Sequence, residues 1–464
     1  MDTHGHKNDP ELNPQVAIYD NGVGTEGIKL IGIVTGVVGW GLSRNIRQLY
    51  SELSRVYEPG DNIYLFGFSR GAYTVRMLAG LINTYGLLKW QDNESEFMDL
   101  VWKAYSRYYR RWLYNQEDIK AFQQGVGRDI FFRPVPIRFI GVWDTVDAVG
   151  LPFDWLTEAL NCIVQFRFKD NKLSDIVEQS CQALAIDDER QSFHPVLWNE
   201  ESETHKKIEQ VWFSGVHTNV GGGYPRQGMS LVSLDWMMKK ASMGKPGQPG
   251  LRFIGHDWNV YQEHQDINDK LYNSRAGLAV YYRYKPRDIA KFCQNAHTTP
   301  KIHISTIERI LQGTDGYAPG NLPRDFEVVS SRPVGSDLAK FINEFKNAIH
   351  PHTSLLEKHA CLVRVRVFAY YLFLVFSLLA LGGYLFHAEE KWYKALGGLF
   401  SLDGFVSLSE YLMNHCWIVV GWIIAVGIGL WARLSMKKKF TAFWYSIIEK
   451  LRSDREEDTN RVTS

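Results

Sequence analysis

The sequence predicts an α/β domain built on a mostly parallel sheet, followed by a helical hairpin of membrane-spanning length. Three observations predict it. Up to about residue 330, short β-rich runs alternate with helical periodicity. The clear strand candidates are apolar nearly throughout, as strands covered by helices on both faces must be. Near the C-terminus come two apolar runs without a charge, at 367–386 and 416–432.

Taken in order, the strand candidates are IYLFGF (63–68), IRFIGVW (137–143) and IEQVWFSGV (208–216). A helix is predicted after Ser69, with Val75, Leu78, Ala79 and Ile82 on one stripe. A second, around 96–114, carries Phe97, Leu100, Val101, Ala104 and Tyr108. Its basic and aromatic stretch WKAYSRYYRRWLYN (102–115) reads as a solvated face with snorkelling stems in preference to a phosphate or headgroup contact. The expected division is a catalytic domain at 15–330, a linker with one helix at 331–362, two transmembrane helices at 363–434, and a tail region at 435–464. In the last, Phe440, Phe443, Trp444, Ile447, Ile448 and Leu451 share one helical face behind a lysine cluster. That pattern predicts a helix lying on an anionic leaflet, with packing against the chain's own domain as the alternative. The final residues read as disordered.

Arg364 and Arg366 precede the first apolar run; Arg433, Lys437, Lys438 and Lys439 follow the second. The loop between them is no richer in cations than in anions, so both chain ends are expected in the cytoplasm, at a bacterial inner membrane. The N-terminus shows no apolar signal region. The net charge of +1 gives no global basic field, which argues against nucleic acid as a partner. The five cysteines form no CxxC pair, and no HExxH occurs, so neither a disulfide framework nor a metal site is expected. No cofactor is implied.

Chemistry concentrates at the ends of the strand candidates. Gly67-Phe68-Ser69-Arg70-Gly71 matches G-x-S-x-G, with a strand before it and a helix after it. In that context Ser69 is a candidate nucleophile on a strained turn, and small residues at the flanks let strand and helix approach. The Arg70 N–H, at the helix start, would face a developing oxyanion. A serine hydroxyl needs a base, and acids and bases of open α/β sheets gather at the carboxyl ends of strands. Asp144 ends IRFIGVW and His217 follows IEQVWFSGV, which gives the order Ser, Asp, His of α/β-hydrolases. Asp147 is a rival acid in the same loop; Asp187 and Asp188 are weaker rivals, and His194 is a poor second choice as base. Gly221, Gly222 and Gly223 would let the chain turn sharply beyond His217.

The blocks YLFGFSRGAYTVRMLAGLI, FIGVWDTVDAVG, QALAIDDERQSFHPVLW, QVWFSGVHTNVGGGYP, KIHIS and GYAPGNLP resemble, in order, a widespread α/β-hydrolase family. Its best-understood members are type VI secretion lipase effectors with phospholipase activity. The resemblance implies an α/β-hydrolase fold, Ser69 as nucleophile, His217 as its histidine, Asp144 as acid, and membrane phospholipids as substrate. It leaves secretion-system and immunity partners unnamed. One departure stands out: the family's opening strand and Asp-Gly-Thr-Trp-Asn segment have no counterpart here, so the first strand is missing and the second oxyanion donor unassigned. A shortened gene product, a start placed too late and a degenerate enzyme all fit that departure. The expected function is therefore a membrane-anchored serine hydrolase acting on phospholipid acyl esters. The alternatives are a non-catalytic membrane-bound scaffold and an esterase or thioesterase for soluble substrates.

Overall fold

The computed structural model describes residues 1–9, 11–21, 37–110, 116–146, 171–201, 207–245, 248–333, 335–350, 352, 354–387 and 401–463. Six strands form the main sheet: β1 (Ile63–Phe68), β2 (Ile137–Trp143), β3 (Ser180–Ala185), β4 (Ile208–Phe213), β5 (Lys301–His303) and β6 (Glu327–Val329). They stand side by side in chain order, and every adjacent pair is parallel. The α/β reading holds.

The first two strand candidates match β1 and β2. The third stops at Phe213, short of Val216, because Gly215 takes φ 117° and exchanges hydrogen bonds with Asp187 instead of extending the ladder. β3 reads poorly from its sequence, since Gln182 interrupts the apolar run. That side chain is buried, and it is satisfied by Thr145 and Gln210 on the neighbouring segments. A buried amide with partners on both sides costs little.

Helices α1 (Val37–Val56), α2 (Arg70–Tyr85) and α3 (Glu94–Tyr109) pack together beside β1. The predicted α2 stripe of Val75, Leu78, Ala79 and Ile82 is buried. Asn93 caps α3 by accepting the Ser95 and Glu96 N–H groups, which sets where that helix begins. The predicted continuation over 111–114 lies outside the described residues.

After β4 come α4 (His217–Gly221) and α5 (Gly228–Ser242), and α6 (Ile304–Gln312) follows β5. The C-terminal part holds α7 (Ser336–Ile349), α8 (Ala360–His387), α9 (Leu402–Asn414) and α10 (Cys416–Thr463). Within 331–362, Ile342, Phe345 and Ile349 of α7 are buried in one core with Ile302, Ile307 and Ile310. The face expected on a leaflet joins the same core: Phe440, Trp444, Ile447, Ile448 and Leu451 of α10 are buried there. Trp444 stacks on Phe345 and donates its indole N–H to the Pro319 carbonyl. An apolar helical stripe fits a protein core as well as a bilayer surface, so periodicity alone could not decide between them. α10 also continues as helix through the segment expected to be disordered.

The apolar parts of α8 and α10 are each long and apolar enough to cross a membrane, and only 22% of each is buried. Phe368, Leu378, Phe386, Trp417, Ile423 and Leu434 point outward from them. The two helices run in opposite directions: Trp422 donates to Ser377, while Gly429 lies against Ala369 and Gly421 against Phe376.

Candidate active site

Ser69 occupies the single residue between β1 and α2. Its backbone sits at φ 58°, ψ −120°, a region an L-residue adopts only under strain, at a cost of about 1–3 kcal/mol. A hydrogen bond from the Ser69 N–H to the Trp143 carbonyl ties the turn to the end of β2. Gly67 is required: a Cβ there would lie 2.4 Å from the Gly71 carbonyl oxygen. Gly71 differs from expectation, since a Cβ on it would meet nothing among the described residues. Its backbone, not its missing side chain, makes the close approach. Arg70 begins α2, which puts its N–H at the positive end of that helix.

Asp144 and His217 meet. Asp144 leaves the end of β2 with φ 44°, a second strained residue, and its side chain is fully buried. His217 opens α4, and its Nδ1 lies 2.6 Å from Asp144 Oδ2. The His217 ring is held between two aromatic rings, Phe68 at 4.6 Å and Phe193 at 5.0 Å between centroids. Phe68 directly precedes Ser69, so the imidazole packs against the elbow itself. Gly221 makes that packing possible, because a Cβ there would lie 2.1 Å from the Phe68 ring. Gly222 and Gly223, at φ 88° and 109°, turn the chain away as expected.

One residue at this site carried no signal in the sequence. Arg287 is fully buried and grips Asp144 with both prongs, Nη1 to Oδ1 and Nη2 to Oδ2, each at 2.7 Å. Burial alone would raise the Asp144 carboxyl. Arg287 and the His217 hydrogen bond outweigh it and hold the group well below the usual carboxylate range. Asp144 is therefore an anion that accepts four hydrogen bonds, the fourth from the Ala185 N–H.

The rival acids have other tasks. Asp188 pairs with Arg190 and accepts the backbone N–H of His217, which fixes the start of α4. Asp187 accepts the Gly215 N–H and the Tyr317 hydroxyl; burial pushes it up to about 6. His194 bonds the Lys285 carbonyl, and burial takes it down to about 4. Asp147 lies outside the described residues. No three His, Cys, Asp or Glu side chains converge as metal ligands among the described residues.

The catalytic-domain family described as "T6SS, Phospholipase effector Tle1-like, catalytic domain" matches residues 2–240. The chain belongs to that family. Its motifs and strand-end pairings therefore sit within a phospholipase effector lineage, and hydrolysis is the chemistry that lineage implies. Among curated proteins, the uncharacterized protein YEL023C of Saccharomyces cerevisiae is 28% identical over 205 residues, covering 39% of this chain and 27% of the yeast protein. The chain thus spans about a quarter of that relative's length. A solved structure of an uncharacterized protein from Pseudomonas aeruginosa aligns with 85% of this chain and 44% of its own, at 16% identity and a TM-score of 0.25. That superposition is too loose to bear on the fold.

Proposed function

We propose that this chain is a membrane-anchored serine hydrolase with an α/β-hydrolase fold that cleaves acyl esters of glycerophospholipids through Ser69, His217 and Asp144. The observation that carries the reading is the buried His217–Asp144 contact of 2.6 Å on a ring that packs against Phe68, one residue from the strained serine. With Nδ1 donating to Asp144, Nε2 is left as the lone-pair nitrogen that can accept the Ser69 proton. Ser69 Oγ then attacks the ester carbonyl, and the Arg70 N–H meets the negative charge gathering on its oxygen. His217 returns the proton to the departing alcohol oxygen as the ester C–O bond breaks. Water, activated by the same imidazole, splits the acyl-serine and releases the fatty acid.

Family membership favours a lipid substrate, and the exposed apolar surfaces of α8 and α10 favour a site held beside a bilayer. The catalytic unit extends beyond residue 330, since α7 and the lower part of α10 complete its core. Purified full-length protein should release fatty acid from phospholipid vesicles, and Ser69→Ala should abolish the release. Equal rates for the two proteins would reject the mechanism. The hairpin is proposed to cross with both ends on the cytoplasmic side; a cysteine reporter between 401 and 414 reached only from that side would overturn the orientation.

A further inference from the structure

We propose that Arg287 is a positioning residue that locks the Asp144 carboxylate and weakens its pull on a proton at His217, so setting the lower pH limit of the base. The inference rests on the triad reading of Ser69, His217 and Asp144.

The locking is geometric. Each Asp144 oxygen takes two donors: Oδ1 from Arg287 and the Ala185 N–H, Oδ2 from Arg287 and His217. Rotating the carboxylate would break all four bonds together. The same guanidinium nitrogens also donate to the Ala185 and Phe193 carbonyls. The second of these holds the residue whose ring stands edge-on against His217. One side chain thus fixes the acid, the end of β3 and one wall of the base. Its own backbone is held by Asn321, which donates to the Arg287 carbonyl.

The electrostatic part follows from charge count. A lone buried carboxylate beside an imidazole draws a proton onto it, and a protonated imidazole is no base. Here Asp144 and Arg287 form a neutral buried pair, so the imidazole faces a dipole instead of a bare anion. Among the described residues, the charges near it include Asp188, itself neutralised by Arg190, and Asp187 beyond Gly215, while Arg70 opens the helix of the elbow. Tyr224 and Tyr282 are the nearby phenols; Tyr282 packs on Phe193, and Asp188 and Arg190 act on Tyr224.

Two variants of the full-length protein in detergent test this. Arg287→Gln removes the charge, and the acid limb of kcat/KM should move up by about one pH unit or more. Arg287→Lys keeps the charge but loses the fork; it should lower kcat by about tenfold and leave the acid limb in place. NMR titration of labelled His217 reads the same limb without turnover. An inactive wild type would then reject the hydrolase reading while the Arg287 inference remained measurable. A Gln variant whose His217 titrates like wild type would overturn the inference, as would a Lys variant with wild-type kcat or a displaced limb. If the Gln variant does not fold, the Lys variant decides on those two outcomes.

Discussion

Asp144 and Asp187 leave the ends of neighbouring strands and are held in opposite charge tendencies. Asp144 is sealed from water yet kept ionised; Asp187, at the wall of a cavity of about 320 Å³, is pushed up to about 6 by burial. Burial opposes the charge on both. The difference lies in the partners. Asp144 meets a guanidinium fork, which stabilises only the anion. The hydrogen bonds to Asp187 come from an amide N–H and a phenol, and among the described residues no cation forms an ion pair with it. Burial sets the cost of a charge, and the neighbour decides whether that cost is met.

The sharpest way to break this comparison is to neutralise each acid by the same change. Asp144→Asn should lower kcat by about 10⁴-fold, because the amide cannot hold the imidazole in the required tautomer. Asp187→Asn should leave kcat within a few fold, since an amide oxygen still accepts from Gly215 and Tyr317. The measurement is fatty acid release by both proteins, with circular dichroism to confirm folding. Comparable losses in the two variants would mean that Asp187 serves the chemistry and that the choice of Asp144 as the acid is mistaken.

How far the sequence announced this site depends on the kind of signal each residue leaves. Ser69, Asp144 and His217 stood out as candidates because each follows an apolar strand, and parallel strands bring their carboxyl ends to one edge. The Arg287 grip on Asp144 was not legible, since that cation stands 143 residues away in the stretch RYKPRD. Gly67 sits where strand and helix are too close for a Cβ; Gly71 has the same signature but no such crowding among the described residues. The stripe from Phe440 to Leu451 fitted two environments equally well, and only the arrival of α7 beside it resolves the choice. β3 hid because its buried polar side chain is satisfied by partners from distant segments. Local patterns were readable; pairings across the chain were not.

The smallest expected effect is on stability, and its sign separates the two acids. Asp187 binds its proton more tightly folded, near 6, than at its ordinary 3.8. The stability it contributes is therefore fully present below about pH 4 and is lost as pH rises through 6. Asp144 has the reverse linkage: its folded carboxyl lies below the ordinary value, so its contribution is present above about pH 4 and disappears only in acid. Between pH 5 and 7.5 Asp144 is silent and Asp187 is not. Asp187→Asn, which keeps both hydrogen bonds but has no charge to develop, should flatten the fall in Tm over that range and raise Tm at pH 7.5 relative to wild type. Arg309 also faces Asp187 and favours its charged form, which keeps the gain modest. Parallel Tm curves for the two proteins from pH 5 to 7.5 would show that Asp187 is ionised throughout, and the contrast with Asp144 would then rest on activity alone.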